Sequence, residues 1–446
     1  MTTPIAAMPA PPAGAPGAAK DGFSPAYRLY VLFALCVVGF MHSVDKVVIS
    51  MFMEPIKKEF LLSDTELGLM TGLAFALMGG LVAIPLARLA DRGNRKLIIG
   101  ASFAAWTLMT AASGMAASFM QLLGARIGVG IGEAGCVPAT HSMLGDYYPS
   151  SLRARALAAH TAGTYLGMLG GMLGGGILVQ TVGWRTGFIL LGAGGFLLTI
   201  VFQLTVREPA RVDALDQLQA GKGVLQQLGD LRIFGLLVLA FAFVGLAGAT
   251  LSWMPSYFQR AFALSPLHIG LGLGLCMGLA SAVGAVAGGQ LCVKYFPTSR
   301  SWGTRFSAWI SWGILPFLIG SFYAPTPALA FLCLFMTFLI AGTLAGPVLG
   351  TIQNLVQPQA RATASAIVGV AAVIIGQGMG PLLVGILSDA FGVKGDGVDG
   401  LRMAMSCVAM INLLTGLFFW LAGRRIERLF PGAPPTNLFD RVRAPG

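Results

Sequence analysis

Arg126-Ile127-Gly128-Val129-Gly130-Ile131-Gly132-Glu133-Ala134 sets an arginine and a glutamate seven residues apart inside an otherwise apolar stretch. Holding either charge in hydrocarbon costs a few kcal/mol on insertion scales, so each needs a partner or a water-filled cavity. At about 1.5 Å per residue, a helix places both on one face roughly 10 Å apart. The three glycines between them leave a groove that a second backbone can approach. This is the pattern of a transport site rather than of a fold core.

The remainder of the chain agrees. Of its 446 residues 56% are hydrophobic and 11% charged, with a mean hydropathy of +0.77, which excludes a soluble protein with a solvated surface. A net charge of +11 would suit nucleic acid. The basic residues, however, fall in short groups between apolar segments of about 20 residues or more, which is membrane topology, so no nucleic-acid partner is expected. The cysteines Cys36, Cys136, Cys276, Cys292, Cys333 and Cys407 are dispersed through apolar segments and indicate neither a disulfide framework nor a zinc site. No metal or cofactor is expected.

Residues 1–25 are rich in Ala and Pro and read as a disordered cytoplasmic tail without a cleavable signal. Apolar segments then fall at 26–53, 64–88, 97–117, 119–146, 154–181, 185–206, 231–259, 266–293, 303–323, 327–356, 362–388 and 401–423. The expectation is an all-α integral membrane protein with twelve transmembrane helices. With the N-terminus inside, 21 of the 29 Lys and Arg lie on the cytoplasmic side, six outside and two, Lys46 and Arg126, within the membrane. That asymmetry puts both termini in the cytoplasm of a multi-pass inner-membrane protein.

The polar interruption 207–230 splits the segments six and six. It separates an N-terminal bundle, 26–206, from a C-terminal bundle, 231–425, which is followed by a cytoplasmic tail, 426–446. Ala214 to Gly229 could form a short amphipathic surface helix. The halves repeat. Phe60, Leu62, Ser63, Gly68, Leu69 and Gly72 recur as Phe262, Leu264, Ser265, Gly270, Leu271 and Gly274. Arg155, Ala156, Ala158, Gly163, Gly170 and Gly174 recur as Arg361, Ala362, Ala364, Gly369, Gly376 and Gly380. Two pseudo-symmetric six-helix units place a binding site between them near the bilayer midplane. Gly163, Gly167, Gly171 and Gly175 on the fifth segment, and Gly270, Gly274 and Gly278 on the eighth, offer smooth faces on which the bundles could slide.

Between the second and third segments the chain reads Ala87-Arg88-Leu89-Ala90-Asp91-Arg92-Gly93-Asn94-Arg95-Lys96. A short loop dense in arginine with one aspartate can pin neighbouring helix ends. Here the chain resembles the major facilitator superfamily. The resemblance narrows at Arg126-x-Gly-x-Gly-x-Gly-Glu133-Ala134, Asp146-Tyr147-Tyr148-Pro149, Arg153-Ala154-Arg155 and Gly183-Trp184-Arg185. Together these are similar to the Spinster-like branch, proton-linked carriers of lysophospholipids and sphingosine phosphates. The resemblance implies alternating access, with gating charges at Asp91, Arg95, Asp146, Arg153 and Arg155. On the first segment the branch's Asp-Arg is replaced by Asp45-Lys46, preceded by His42-Ser43-Val44.

Asp45 and Arg126 lie at one depth, each about a third of a helix from the same membrane face. An Asp beside an Arg stays ionised, and separating the two would favour its protonation, which is a workable proton switch. A desolvated Glu133 could take a proton or meet a cationic headgroup. Asp45, Arg126 and Glu133 are therefore the proton-coupling candidates. Arg126, Glu133, Lys46 and His42 are substrate candidates, with His42 and His160 as possible relays. The C-terminal bundle contributes Thr250, Trp253, Tyr257, Thr343, Gln353, Asn354 and Gln377 among Phe and Leu. A cavity charged on one side and apolar on the other suits an amphipathic substrate.

No Gly-x4-Gly-Lys-Ser/Thr loop is present to bind ATP, and no nucleophile elbow or metal-spaced His/Asp/Glu cluster indicates an intramembrane enzyme. The expectation is a monomeric, proton-coupled secondary transporter of a lysophospholipid or sphingosine-phosphate-like molecule, with protons and membrane lipids as its other partners. The alternative is a proton-linked multidrug or organic-anion carrier.

Overall fold

The structure, a computed structural model, describes residues 23–209, 230–295, 301–344, 346–348, 350–351, 361–392 and 397–429. The sequence expectations for both tails, the Ala214–Gly229 surface helix, Gln353 and Asn354 lie outside or almost wholly outside those residues. So do the side chains of Arg88, Asp91, Arg92 and Arg361.

Twelve helical crossings are present among the described residues. They are α1 Pro25–Phe60, α2 64–92, α3 Arg95–Met115, α4 119–147, α5 Ser150–Thr181, α6 Gly183–Thr205, α7 Leu231–Phe262, α8 266–295, α9 Trp302–Tyr323, α10 Pro327–Val348, α11 361–392 and α12 Val398–Leu429. Eleven contain a continuous run long and apolar enough to cross a bilayer. The exception is α4, which breaks at Ala134–Gly135 into Phe119–Glu133 and Cys136–Tyr147. Its interruption directly follows the glutamate of the opening motif.

Local chemistry sets the starts. Ser24, Asn94, Ser118, Asp230 and Thr326 each accept a backbone N–H of the first turn of α1, α3, α4, α7 and α10. Ser63 and Glu66 form a reciprocal capping box on α2. Large apolar side chains such as Leu29, Phe33, Leu81, Leu166, Leu197, Leu204 and Leu332 remain exposed, as lipid-facing residues should. The chain alternates direction at every crossing, so α1 begins and α12 ends at one end of the molecule, here termed the terminal end; the opposite end is the distal end.

The buried apolar side chains form three cores. One joins both bundles towards the distal end, with Phe52 and Phe188 beside Trp253, Tyr257, Phe258 and Leu401. The other two are private to one bundle each: Phe103, Trp106 and Tyr147 in the first, Ile233, Ala308 and Phe419 in the second.

The first repeated block lies on the faces that meet across the bundle interface; of the second, Gly163 and Gly170 pack on α1 and Gly376 and Gly380 on α7, each within its own bundle. Gly68 of α2 abuts the backbone at Pro381 and Leu382 of α11, and Gly72 abuts Gly378. In the pseudo-symmetric position, Gly270 of α8 abuts Met172 and Gly176 of α5, and Gly274 abuts Leu169. A Cβ at these positions would collide with backbone, which is why glycine recurs there. The expected sliding face on α5 is corrected in part. Gly163, Gly167, Gly171 and Gly175 pack on Cys36, Phe40, Val44, Val47 and Val48 of α1, inside the first bundle, whereas the α8 glycines do face the other bundle. A four-residue spacing defines a smooth stripe but not the helix it will meet.

Candidate functional site

Asp45 and Arg126 pair within the first bundle. Both guanidinium nitrogens Nη1 and Nη2 lie 3.3 Å from Asp45 Oδ2, while Thr110 of α3 donates to Oδ1 at 2.6 Å. The aspartate is 5% and the arginine 2% exposed. The guanidinium also sits 5.9 and 5.8 Å from the ring centres of Phe75 and Phe188, close enough for a desolvated cation–π attraction. Removing one partner from such a buried pair typically costs about 3–5 kcal/mol, because the survivor stays charged and unpaired. Beside Asp45 is a hole of about 10 Å³ lined by Met41, Trp106 and Thr107, room for about one water.

Glu133 finds its partner on α1: His42 Nε2 stands 3.1 Å from Glu133 Oε2. The other oxygen, Oε1, is buried with no hydrogen-bond partner among the described residues. His42 could not be paired with Glu133 by inspection of the sequence, since 91 positions separate them and either could have met solvent.

A cavity of about 280 Å³ opens between α1, the second half of α4, and α5. Lys46, His42, His141, His160, Thr161 and Thr164 line it, with Val137 and Met168 as apolar wall. Asp45, Arg126 and Glu133 do not. The three proton-coupling candidates thus do not line one open cavity: the Asp45–Arg126 pair is enclosed by α1, α2, α3, α4 and α6, and His42 connects the buried Glu133 to the cavity.

The C-terminal candidates scatter. Thr250, Trp253 and Tyr257 are fully buried in the shared core. Their polar atoms are bonded to the carbonyls of Ala247, Pro381 and Phe322 at 3.0, 3.2 and 2.5 Å, so in this conformation they brace helices and line none of the cavities described here. Thr343 is half-buried and bonds the Ile340 carbonyl, and Gln377 is exposed.

At the distal end lies a charge cluster that sequence reading missed. Arg260 of α7 holds Asp64 of α2 through two bonds of 2.7 Å and Glu54 of α1 at 2.8 Å. Lys57 also pairs with Asp64, and Ser388 of α11 donates to it at 2.6 Å. Asp389 accepts the backbone N–H of Asp64 at 3.1 Å and of Thr65 at 2.8 Å, capping α2 from the opposite bundle. In sequence these residues are ordinary charged helix ends; only Glu54, inside an apolar run, signalled a buried partner.

At the terminal end, every ion pair among the described residues stays inside one bundle. Arg95 joins Asp146 and, at 2.8 Å, Glu208. Arg305 joins Glu427, and Arg425 joins Asp230 at 2.7 Å. Hydrogen bonding from Arg425 holds the Asp230 carboxyl below its usual range. Of the expected gating residues, Arg95 and Asp146 clamp α3 to α4, Arg153 bonds the Gly145 carbonyl at 2.6 Å, and Arg155 is exposed. The partner that sequence reading missed is Glu208, which ties α6 into the same clamp.

Two inverted-contact bundles of six helices, with charges buried in one of them and an interface bonded at one end, define a membrane carrier. Residues 35–374 match the family model described as Major Facilitator Superfamily. An MFS-type efflux pump of Mycolicibacterium smegmatis is 30% identical over 427 residues, spanning 94% of this chain and 98% of that protein. Crystal structures of a bacterial homologue of the human lysosomal transporter Spinster, inward-facing and either unoccupied or occupied, superpose with TM-scores of 0.82 and 0.80 at 28% and 29% identity, covering 92% of this chain and all of theirs. The chain belongs to the Major Facilitator Superfamily and, within it, to the Spinster-like branch. It is a multi-pass membrane transporter and not an enzyme.

Proposed function

We propose that this transporter is a proton-coupled secondary carrier of an amphipathic, lipid-like molecule such as a lysophospholipid or sphingosine phosphate, acting as a monomer in the inner membrane with both termini in the cytoplasm. The observation that carries the reading is the enclosed Asp45–Arg126 pair lying next to the Glu133–His42 pair in one bundle only. While Arg126 neutralises Asp45, the carboxylate is stable without a proton. A shift of α1 against α4 within the first bundle that lengthens this contact leaves Asp45 in a dry site, where binding a proton offsets the loss.

The distal cluster supports alternating access. Glu54 and Asp64 on one bundle hold Arg260 and Ser388 on the other, and Asp389 caps α2 across the gap, so the carrier stands closed at that end and open toward the termini. Under the proposed topology this is the inward-facing state. The gating role expected of Arg95 and Asp146 then becomes one of holding α3, α4 and α6 together at the terminal end as the bundle rocks.

Flux of a lysophospholipid and of sphingosine phosphate into proteoliposomes under an imposed pH gradient tests the reading. Wild-type flux should follow the gradient, Asp45→Asn should transport without pH dependence, and Arg126→Ala should not transport. Glu133→Gln should lose either coupling or headgroup selectivity. A proton-linked multidrug or organic-anion carrier is the second reading, favoured by the similarity to the mycobacterial efflux pump along nearly the whole chain. Drug or organic-anion uptake that follows the pH gradient, with no response from either lipid, would replace the first reading by the second.

A further inference from the structure

Three of the chain's four histidines, His42, His141 and His160, meet in the 280 Å³ cavity between α1, α4 and α5, together with Lys46. They come from three different helices, so no local periodicity explains the clustering. The His141 and His160 rings stand edge to face with centroids 5.4 Å apart. Neither ring has a hydrogen-bond partner among the described residues, and no carboxylate there pairs with the Lys46 ammonium. The Thr161 and Thr164 hydroxyls already donate to the carbonyls of Leu157 and Thr161. Among the described residues the lining donors without a bonded acceptor include the Lys46 ammonium, the two imidazoles and the Ser43 hydroxyl; Glu133, close enough to attract the Lys46 ammonium, is bonded to His42 and does not line the wall.

Unpaired donors beside an apolar wall, with no acid among the lining residues, fit a compact anion carrying an alkyl substituent. We infer that this cavity is a subsite for an anionic headgroup of the phosphate-monoester class, held by Lys46, His141 and His160, and that the headgroup does not touch Arg126. The inference rests on reading the first bundle as the substrate-binding half of the carrier, and it relocates the headgroup within that half. Arg126 is 2% exposed and already committed to Asp45. A ligand reaching it would first have to displace Asp45, and would leave that carboxylate buried and unpaired. The cavity needs no such exchange. His42, which both lines the cavity and bonds Glu133, links an occupied subsite to the buried acids.

Calorimetric titration of the purified full-length protein in nanodiscs with hexyl phosphate, and separately with hexylamine, tests the assignment without requiring transport. Hexyl phosphate should bind and hexylamine should not. Loss of a charge-assisted contact in Lys46→Ala should weaken hexyl phosphate by about tenfold or more, and His141→Ala by a few-fold. The charge-neutral double variant Asp45→Asn/Arg126→Gln, which avoids an unpaired buried charge, should bind hexyl phosphate within about twofold of wild type. Unchanged affinity in a Lys46→Ala protein of wild-type melting temperature would overturn the assignment. So would loss of binding in a double variant that melts as wild type, or equal binding of hexylamine. Because binding is read apart from flux, these results stand whether or not the pH-gradient experiment succeeds.

Discussion

The distal end is one structure and the terminal end is two. Towards the distal end a single apolar core passes from Phe52 and Phe188 to Trp253 and Phe258, and ion pairs cross from bundle to bundle. Towards the terminal end each bundle keeps its own core, and Arg95, Arg305 and Arg425 each pair within their own half. The sequence topology assigns 21 of the 29 Lys and Arg to the terminal side and six to the distal side, so the number of charges does not mark the sealed end. Whether a charge finds its partner across the interface or beside itself is what decides which end is sealed. The terminal-end pairs also repeat between halves: Arg95 at the start of α3 meets Glu208 after α6, and Arg305 at the start of α9 meets Glu427 near the end of α12. The distal cluster has no such duplicate, since one Arg260 serves both Glu54 and Asp64.

The sharpest way to break the contrast is Arg260→Ala. It strands Glu54 and leaves Asp64 only Lys57 and Ser388, a loss of about 3–5 kcal/mol from the sealed state, enough to invert a two-state balance. Spin labels at Leu61→Cys and Leu267→Cys, exposed positions on opposite bundles at the distal end, should show a new, longer distance as the major population. An unchanged distance distribution would mean that the apolar core alone seals this end. Arg95→Ala is the counterpart at the other end. Leaving Asp146 and Glu208 unpaired should cost about 1–3 kcal/mol and lower the melting temperature, while the distal label distance stays as in wild type.

Asp389→Ala is smaller. Removing a helix cap costs about 1 kcal/mol, so the distal-open population should rise about fivefold by the same label measurement, with little change in melting. The least effect is expected at Asp230. Its carboxyl titrates lower in the folded protein than in the unfolded chain because Arg425 bonds it. Its contribution is therefore complete above the unfolded value of about 4 and fades as pH falls through the folded value. Melting followed from pH 6 downward should show Asp230→Asn slightly destabilised at the upper end, the difference from wild type closing at the acid end.

Much of this architecture was legible before any coordinates. Hydropathy located all twelve crossings because a bilayer leaves the backbone no alternative to the helix. Of the repeated blocks, the one around Gly72 and Gly274 falls on the interface, because glycine there lets backbone approach backbone, whereas the glycines of the other block, among them Gly170 and Gly380, meet only their own bundle. The Asp45–Arg126 pair was legible for a similar reason: two opposite charges at one depth in hydrocarbon have few ways to be tolerated. What escaped were relations between helices with no such compulsion. Asp64, Arg260 and Asp389 lie near helix ends, where a charge can meet water unpaired, so their sequence carries no demand for partners. Trp253 and Tyr257 could have faced substrate or core on equal grounds, and packing chose the core. His141 lay on a helix beyond the break at Ala134–Gly135, and its meeting with His160 depends on how that break turns the chain.

The first turn of α2 is finished by Asp389, a residue 325 positions away. Two peptide N–H groups are therefore covered only while the halves are in contact, and lie bare to solvent in the other state. Deuterium uptake at Asp64 and Thr65 becomes a clock for the transport cycle: each excursion exposes that pair, while Glu66 and Leu67, covered locally by Ser63, should remain silent. A carrier that finishes a helix with its opposite half reports its own rocking at two amides.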